Sequence, residues 1–277
     1  MNTHKFSRRL AILLALTSVA VAVAFTTSGR AIGSSLGADA LSSNFNVDQV
    51  NGKISSRMDV TIVFSANEDN VISLSKPLLI KQVFANQTLE IQFLPDVQTD
   101  QYSVNGNKRA LDQPGRAWLA SVIPQLLRES AFDVAARMNR LNSKGGVELV
   151  IAEIESIKSP YARSLYAQSL FKLAQLNDAQ MVRMLSVVAA IGPGRDRERQ
   201  EAYVTALQGR INTPQMTTLL SDLATMKDSH ATCEVLVAVA KAMPVDVGLL
   251  KQYRAIARTL SESERGRAEK AIDHLNG

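Results

Sequence analysis

A chain of 277 residues, 46% of them hydrophobic and 21% charged, is long enough to bury a sizeable core and is ordinary for a globular protein. The formal net charge of +5 is concentrated at the start. Lys5, Arg8 and Arg9 lie in the first nine residues without an acid, leaving 28 basic against 26 acidic residues beyond them, which excludes the broad basic footprint of a nucleic-acid-binding protein.

Residues 1–9, "MNTHKFSRR", lead into the uncharged apolar run "LAILLALTSVAVAVAF" (10–25), and Ala22-Val23-Ala24 offers a small-x-small cleavage site. The run is 16 residues long, shorter than the about 20 that a spanning helix needs. Residues 1–25 therefore read as an export signal outside the fold, cleaved after about Ala24. The alternative is an anchor over residues 10–25 that tethers the chain to the cytoplasmic membrane. Either reading places the remainder outside the cytoplasm, in the periplasm or beyond. Residues 26–46, rich in Gly, Ser, Ala and Thr without periodicity, read as a flexible linker.

Between 47 and 111 the sequence predicts a small antiparallel β domain. Short runs rich in Val, Ile, Phe and Thr occur at 58–64, 70–74, 78–85, 88–94 and 99–105, punctuated by Asn, Asp, Gly and Pro. In "TLEIQFL", Leu89, Ile91 and Phe93 alternate with Glu90 and Gln92, the pattern of a half-buried strand. Asn105-Gly106 is the dipeptide favoured by a type I′ hairpin turn. Asn86-Gln87-Thr88 matches a glycosylation acceptor but falls at an expected hairpin tip, where it reads as a turn. Five short strands do not bury both faces of a sheet, so the meander is expected to lean on the helices that follow. Trp118, the only tryptophan, stands where the sheet gives way to helices and is expected to fill that joint.

From 112 to 277 the chain predicts helices, and an amphipathic stripe recurs. Val147, Val150, Ile151, Ile154 and Ile157 are followed about 34 residues later by Met181, Met184, Leu185, Val188 and Ile191. The pattern returns as Met216, Leu219, Leu220, Leu223 and Met226, and again as Leu250, Tyr253, Arg254, Ala257 and Leu260, with Arg254 the one departure. Helix starts recur with it: Ser159 before Pro160, Asp228 or Ser229, and Ser261 with Glu264 as a capping box. The restart after 191 is the looser "GPGRD". Asp178 and Thr213 occupy equivalent positions as expected N-caps. A helix pair repeated at about 34 residues predicts a right-handed α-solenoid, giving an α+β fold overall. The tetratricopeptide signature residues are missing, so the period assigns an architecture and not that family. Cys233, the single cysteine, forms no intramolecular disulfide and is expected to pack on the apolar face of a helix.

The stretch "YSVNGNKRALDQPGRAWLASVIPQLLRES" (102–130) continues into "RMNRLNSKGGVELVIAEIESIKSPYARSLYAQSLFKLAQL" (137–176). Together they resemble the extracytoplasmic part of a group of bacterial envelope proteins. In that group a β region ends in Y-x-V-[DN]-G and is followed by "GRAWLA", a Gly-Gly before a helix, and degenerate helical repeats opening with Ser-x-Tyr. Some members carry such a region behind a membrane-bound sensor metallopeptidase of the BlaR type. The resemblance spans about 45–260 and implies an exported sensing or adaptor module. The chain departs from that sensor in having no H-E-x-x-H and a single short apolar run, and its second repeat lacks the Ser-x-Tyr opening.

Chemistry-bearing patterns are few. His4, His230 and His274 show no pairing at metal-ligand spacing, and there is no G-x-S-x-G elbow. "GPGRDRERQE" (192–201) lacks the Gly-Lys-Ser/Thr of a phosphate loop, and its alternating charges read as a solvated helix start. No cofactor is called for. The expected function is a non-enzymatic exported module that binds an envelope protein partner through the helical surface, with Arg195, Arg197 and Arg199 as expected contacts. The other reading is a membrane-anchored sensor whose β domain binds a ligand.

Overall fold

A computed structural model of the chain describes residues 20–25, 45–46, 62–75, 78–83, 87–95 and 101–275. The basic residues 1–9 and nearly all of the expected linker lie outside these. The architecture is α+β, a small antiparallel β region followed by helices.

The β region contains strands β1 (Ala20–Phe25), β2 (Phe45–Asn46), β3 (Ile62–Phe64), β4 (Val71–Leu74), β5 (Leu78–Val83), β6 (Thr88–Phe93), β7 (Gln101–Val104) and β8 (Asn107–Arg109). Six of them form one sheet in the order β2-β1-β5-β6-β7-β8, and β3 pairs with β4 alone. The expected runs correspond to β3 through β7. In β6 the alternation reads as expected, with Leu89, Ile91 and Phe93 buried. Asn105 (φ 53°) and Gly106 (φ 79°) both lie in the left-handed region, as a type I′ turn requires, and Val104 pairs with Asn107 across it. The single expected meander is instead two sheets. The β3–β4 hairpin buries Ile62, Phe64 and Val71 inward and leaves Val63 and Ile72 exposed. Its turn closes on itself, since Ser65 Oγ accepts from the Asp69 and Asn70 amides.

Residues 20–25, read from sequence as outside the fold, pair antiparallel along all of β5, from Ala20↔Val83 to Phe25↔Leu78. The cleavage point expected after about Ala24 falls inside this strand. One copy of these residues does not pair with β5 and also leave with a signal or enter a bilayer. No helix among the described residues is long and apolar enough to cross a membrane.

Among the described residues, helices follow as α1 (Gln113–Ser130), α2 (Val134–Ser156), α3 (Pro160–Leu173), α4 (Asp178–Ala189), α5 (Asp196–Ala206), α6 (Thr213–Leu223), α7 (Ser229–Ala242), α8 (Val247–Ala257) and α9 (Glu262–Ala271). Helix α1 belongs to the β core. Its Trp118, Leu119, Val122, Ile123, Leu126 and Leu127 pack with Leu78, Ile80, Ile91, Phe93 and Tyr102. The two apolar cores therefore meet between Ser130 and Val134, downstream of the boundary at 111 drawn from composition. Trp118 fills the joint as expected, donating its indole N–H to Gln82 Oε1 at 2.5 Å beside the Tyr102 ring. Gly115 permits this approach, because a Cβ there would stand 2.9 Å from the Tyr102 ring.

Helices α2 to α9 share the second core. α3 packs on α5, α5 on α7 and α7 on α9, while α2 packs on α4, α4 on α6 and α6 on α8. The recurring stripe lines the space between these two rows. All its positions are buried except the half-buried Val147 and Leu250 and the exposed Arg254. Within α2, Gly145 and Gly146 (φ +67°) break the helix, so its second half restarts at Val147 where the stripe begins.

The caps refine the sequence reading. Ser159 caps α3 and Asp228 caps α7, accepting from the amides of Ala162 and Ala231. Asn177 and Asn212, one residue before the expected Asp178 and Thr213, cap α4 and α6, each in a reciprocal capping box with Gln180 or Gln215. At Ser261 no side-chain cap forms, and the Glu264 carboxylate that would complete the expected box pairs with His230 and Arg267.

Candidate interaction surface

Because α3, α5 and α7 lie side by side, with each followed by a helix of the other row, the connections between rows collect on two opposite edges. One edge carries the connections into α3, α5, α7 and α9. There several polar groups bridge one connection to the next. Glu129 accepts from the amides of Lys158 and Ser159 at 3.1 and 2.8 Å. Arg163 donates to the carbonyls of Ile157 and Ala190. Ser164 Oγ donates to the Glu198 carbonyl at 2.7 Å. Asp196 Oδ2 accepts from the amides of Lys227 and Asp228 at 2.6 and 2.8 Å, tying the start of α5 to the start of α7. Ser229 Oγ accepts from the Ser261 amide.

The three expected contact arginines lie on this edge, and one of them is not available to a partner. Arg199 is 2% exposed. It donates to Asp196 at 3.3 Å, to the Asp222 carboxylate at 2.5 Å and to Thr225 Oγ1 at 2.8 Å, while Tyr203 Oη also donates to Asp222 at 2.5 Å. Alternating charge reads as a solvated helix start, but Asp222, 23 residues on, joins Asp196 in holding Arg199 inward. Arg195 and Arg197 remain at the surface, paired with Glu198 and Glu201.

A second buried polar cluster joins the β hairpin to the helices. Glu68, at the tip of β3–β4 and 5% exposed, receives Arg137 at 3.0 Å and Arg140 at 3.1 Å. Arg137, 2% exposed, also reaches Glu153 at 2.8 Å and Tyr166 at 3.2 Å. Arg128 pairs with Glu153 at 2.5 Å. Glu68, Ala131 and Asp133 all hold positive φ near 57°, at 58°, 56° and 56°, a local strain that the surrounding contacts impose. Burial opposes the charge on Glu153, but Arg128 and Arg137 outweigh it and hold its carboxyl below the usual 4.5. Burial likewise pushes the Tyr166 hydroxyl up to about 12, so it is neutral and donates to the Leu127 carbonyl.

A pH dependence follows. A lowered folded pKa gives stability that is fully present above the ordinary carboxylate value and lost as pH falls through the folded value. Glu153→Gln is expected to destabilise at neutral pH, with its deficit relative to the parent shrinking as the pH drops below 4.5. Urea midpoints of both proteins across that range test this; a deficit that stays constant would show that the ion pairs contribute nothing.

The opposite edge carries the connections α3–α4, α5–α6 and α7–α8, where the caps at Asn177, Asn212 and Asp246 likewise bond the backbone, and it adds exposed apolar side chains. Leu173, Val245 and Val247 stand 56%, 77% and 84% exposed there. A cleft of about 660 Å3 opens between the α3–α4 and α5–α6 connections, lined by Phe171, Leu176, Met181 and Ala206 with Asp178 and Arg210 among its polar groups. A second of about 400 Å3 lies between α5 and α7, lined by Val204, Leu207, Val237 and Ala238 with Glu234 and Lys241. Sequence reasoning missed this edge, since single apolar residues in connections look like ordinary turn residues until the helices are stacked.

Elsewhere the geometry offers less. The void beneath the β3–β4 hairpin, lined by Phe64, Leu78 and Leu127 among others, measures about 10 Å3, no more than the least that one water requires. Cys233 is buried, donates to the Glu264 carbonyl at 3.3 Å, and is held protonated because burial raises its pKa to about 12. Among the described residues no group of three His, Cys, Asp or Glu side chains is placed to hold a metal ion. Comparison of the chain with protein-family models, curated proteins and solved structures finds no match.

Proposed function

We propose that this chain is an exported, non-enzymatic interaction module of a bacterial envelope, binding a protein partner through its stacked helices. In this reading α2 to α9 form a right-handed α-solenoid of helix pairs about 34 residues apart, and the β region with α1 closes one end. The observation that carries the reading is the set of exposed apolar side chains, Leu173, Val245 and Val247, on the edge that also holds the larger cleft. Exposed apolar residues gathered on one side of a stack are what a partner surface requires. The basic and apolar N-terminal residues supply the export reading.

The test is crosslinking in living cells with a C-terminally tagged full chain, followed by identification of what co-purifies. A single dominant envelope protein is expected with the parent and with Arg197→Ala. It is expected to be lost from the doubly substituted Leu173→Asp, Val245→Asp chain, whose changes sit on exposed positions. Recovery of the protein alone, at a yield proving that the crosslinker reached it, would sink the reading. The intact mass of the recovered chain gives its first residue. A start near Phe25 means that most of β1 has left and β5 is open, whereas a retained Met1 in membrane fractions supports the tethered form.

A further inference from the structure

We infer that the edge of β5 opened by export is a docking site for an extended apolar segment of a protein partner, which adds a strand where β1 stood. The inference rests on the exported-module reading and names a partner chemistry for a second place on the molecule. β1 pairs with β5 along its whole length, and the expected cleavage after about Ala24 falls within β1, so that only Phe25 of this strand stays with the chain. A bare strand edge is a template for another strand unless it is short, charged or covered. In the sheet order β2-β1-β5-β6-β7-β8, the far edge strand β8 is exposed and polar throughout, at Asn107, Lys108 and Arg109, as an edge left to water requires. β5 has no such protection. Its Leu78 and Ile80 are fully buried, and Gln82 turns inward to accept from Trp118. Its single charged residue, Lys81, pairs with Glu90 on β6. Loss of β1 therefore bares unpaired backbone groups beside an apolar core.

The register of β1 selects the occupant. Phe25, Val23 and Val21 stand opposite Leu78, Ile80 and Gln82, the inward-facing positions of β5, while Ala24 and Ala22 stand opposite Leu79 and Lys81. Directly opposed residues of an antiparallel pair share a face, so the segment that fits carries large apolar residues at every second position and small ones between. A charged segment does not fit, because it would set charge against the core that Leu78 and Ile80 share with α1. A second copy fits less well than such a segment. Two β5 strands keep their inward faces together in the register centred on Ile80, and that register sets Gln82 against Leu78 and Lys81 against Leu79. Main-chain bonds along β5 supply the affinity, and the alternating side chains supply the selectivity.

The tagged chain recovered from the exported fraction tests this, with a labelled peptide of residues 18–26, "SVAVAVAFT", as the probe. A chain beginning near Phe25 is expected to bind the peptide saturably. A chain that retains Met1, and so carries its own β1, should bind it about tenfold or more weakly. The peptide carrying Val21→Asp and Val23→Asp should likewise lose about tenfold or more, since both changes set charge opposite inward-facing positions of β5. Two further peptides, N-methylated at the odd or at the even residues of 20–25, separate strand pairing from apolar adhesion. Alternate amides of a strand face its neighbour, so one set should abolish binding and the other spare it. Recovery of only Met1-bearing chains, no binding to the cleaved chain, equal effects of the two methylated sets, or a dimer of the cleaved chain in place of binding would each overturn the docking site. If the peptide fails while cellular crosslinking recovers an envelope protein, the docking site falls and the interaction module stands. If crosslinking recovers nothing, it is the module that falls, and the partner strand with it.

Discussion

Arg137→Ala is expected to lower the free energy of unfolding by about 3–5 kcal/mol, the loss typical when one partner of a buried ion pair is removed. The side chain is 2% exposed and is shared by Glu68, Glu153 and Tyr166. Burial opposes its charge, but Tyr166, Glu153 and Glu68 outweigh that and hold the guanidinium charged above its usual range. Without it, Glu68, buried in the intact fold, keeps Arg140 as its basic partner, and Glu153 keeps Arg128. Those remaining partners place the expected loss at the lower end of the range. Arg137→Lys should restore only part of it, because an ammonium does not span two carboxylates as a planar fork does. The double substitution Glu68→Gln, Arg137→Met should be less damaging than Arg137→Ala, since no uncompensated charge is left at the hairpin tip. Urea titration decides the matter. A loss below about 1 kcal/mol would mean that the cluster behaves like a solvated surface pair. The shape of the curve adds information: a split into two transitions in Arg137→Ala would identify this cluster as what couples the β core to the helical core.

The second large effect is expected at Arg199. Arg199→Ala should destabilise by about 3–5 kcal/mol, for it strips the buried Asp196 and the largely covered Asp222 of their shared cation. Its neighbour Arg197, with a side chain 80% exposed and paired only to Glu201 four residues on, should change stability by about 0.5 kcal/mol or less when replaced by alanine. The two arginines are two residues apart on one helix, so the comparison isolates burial from charge. Thermal or urea melts of both variants measure it. Equal, small effects would show that the Asp196–Arg199–Asp222 cluster is open to water. The result also bears on function, because loss of partner binding in Arg199→Ala would report unfolding and not a lost contact.

How much of this was legible from residues alone depended on distance along the chain. The stripe from Val147 to Leu260 was readable because helical burial repeats every three and four residues, and a side chain's face is set by its neighbours within a turn. The Asn105-Gly106 turn was readable for the same local reason. The cap positions were missed by one residue: Asn177 and Asp178, like Asn212 and Thr213, are adjacent polar residues, and the Gln three positions after each asparagine is the signal that separates them. Strand β8 was missed because Asn107, Lys108 and Arg109 are all exposed and carry no apolar alternation.

What the amino-acid sequence determined, then, was strands β3 to β7 and the helices after them, the apolar face of the second helical row, and Trp118 as the joint between sheet and helices. Tertiary structure alone decided the rest. Glu68 and Arg137 are 69 residues apart, and Arg199 and Asp222 are 23 apart, so nothing local marks either pair as buried. The pairing of "AVAVAF" at 20–25 with β5 is likewise non-local, joining residues some 58 positions apart. The clefts beside α5 exist only once successive helix pairs are stacked, when residues of connections some 35 positions apart are brought to one edge. Local periodicity encodes which face of an element turns inward; which charges are buried and which surface is left open follow from how the elements meet.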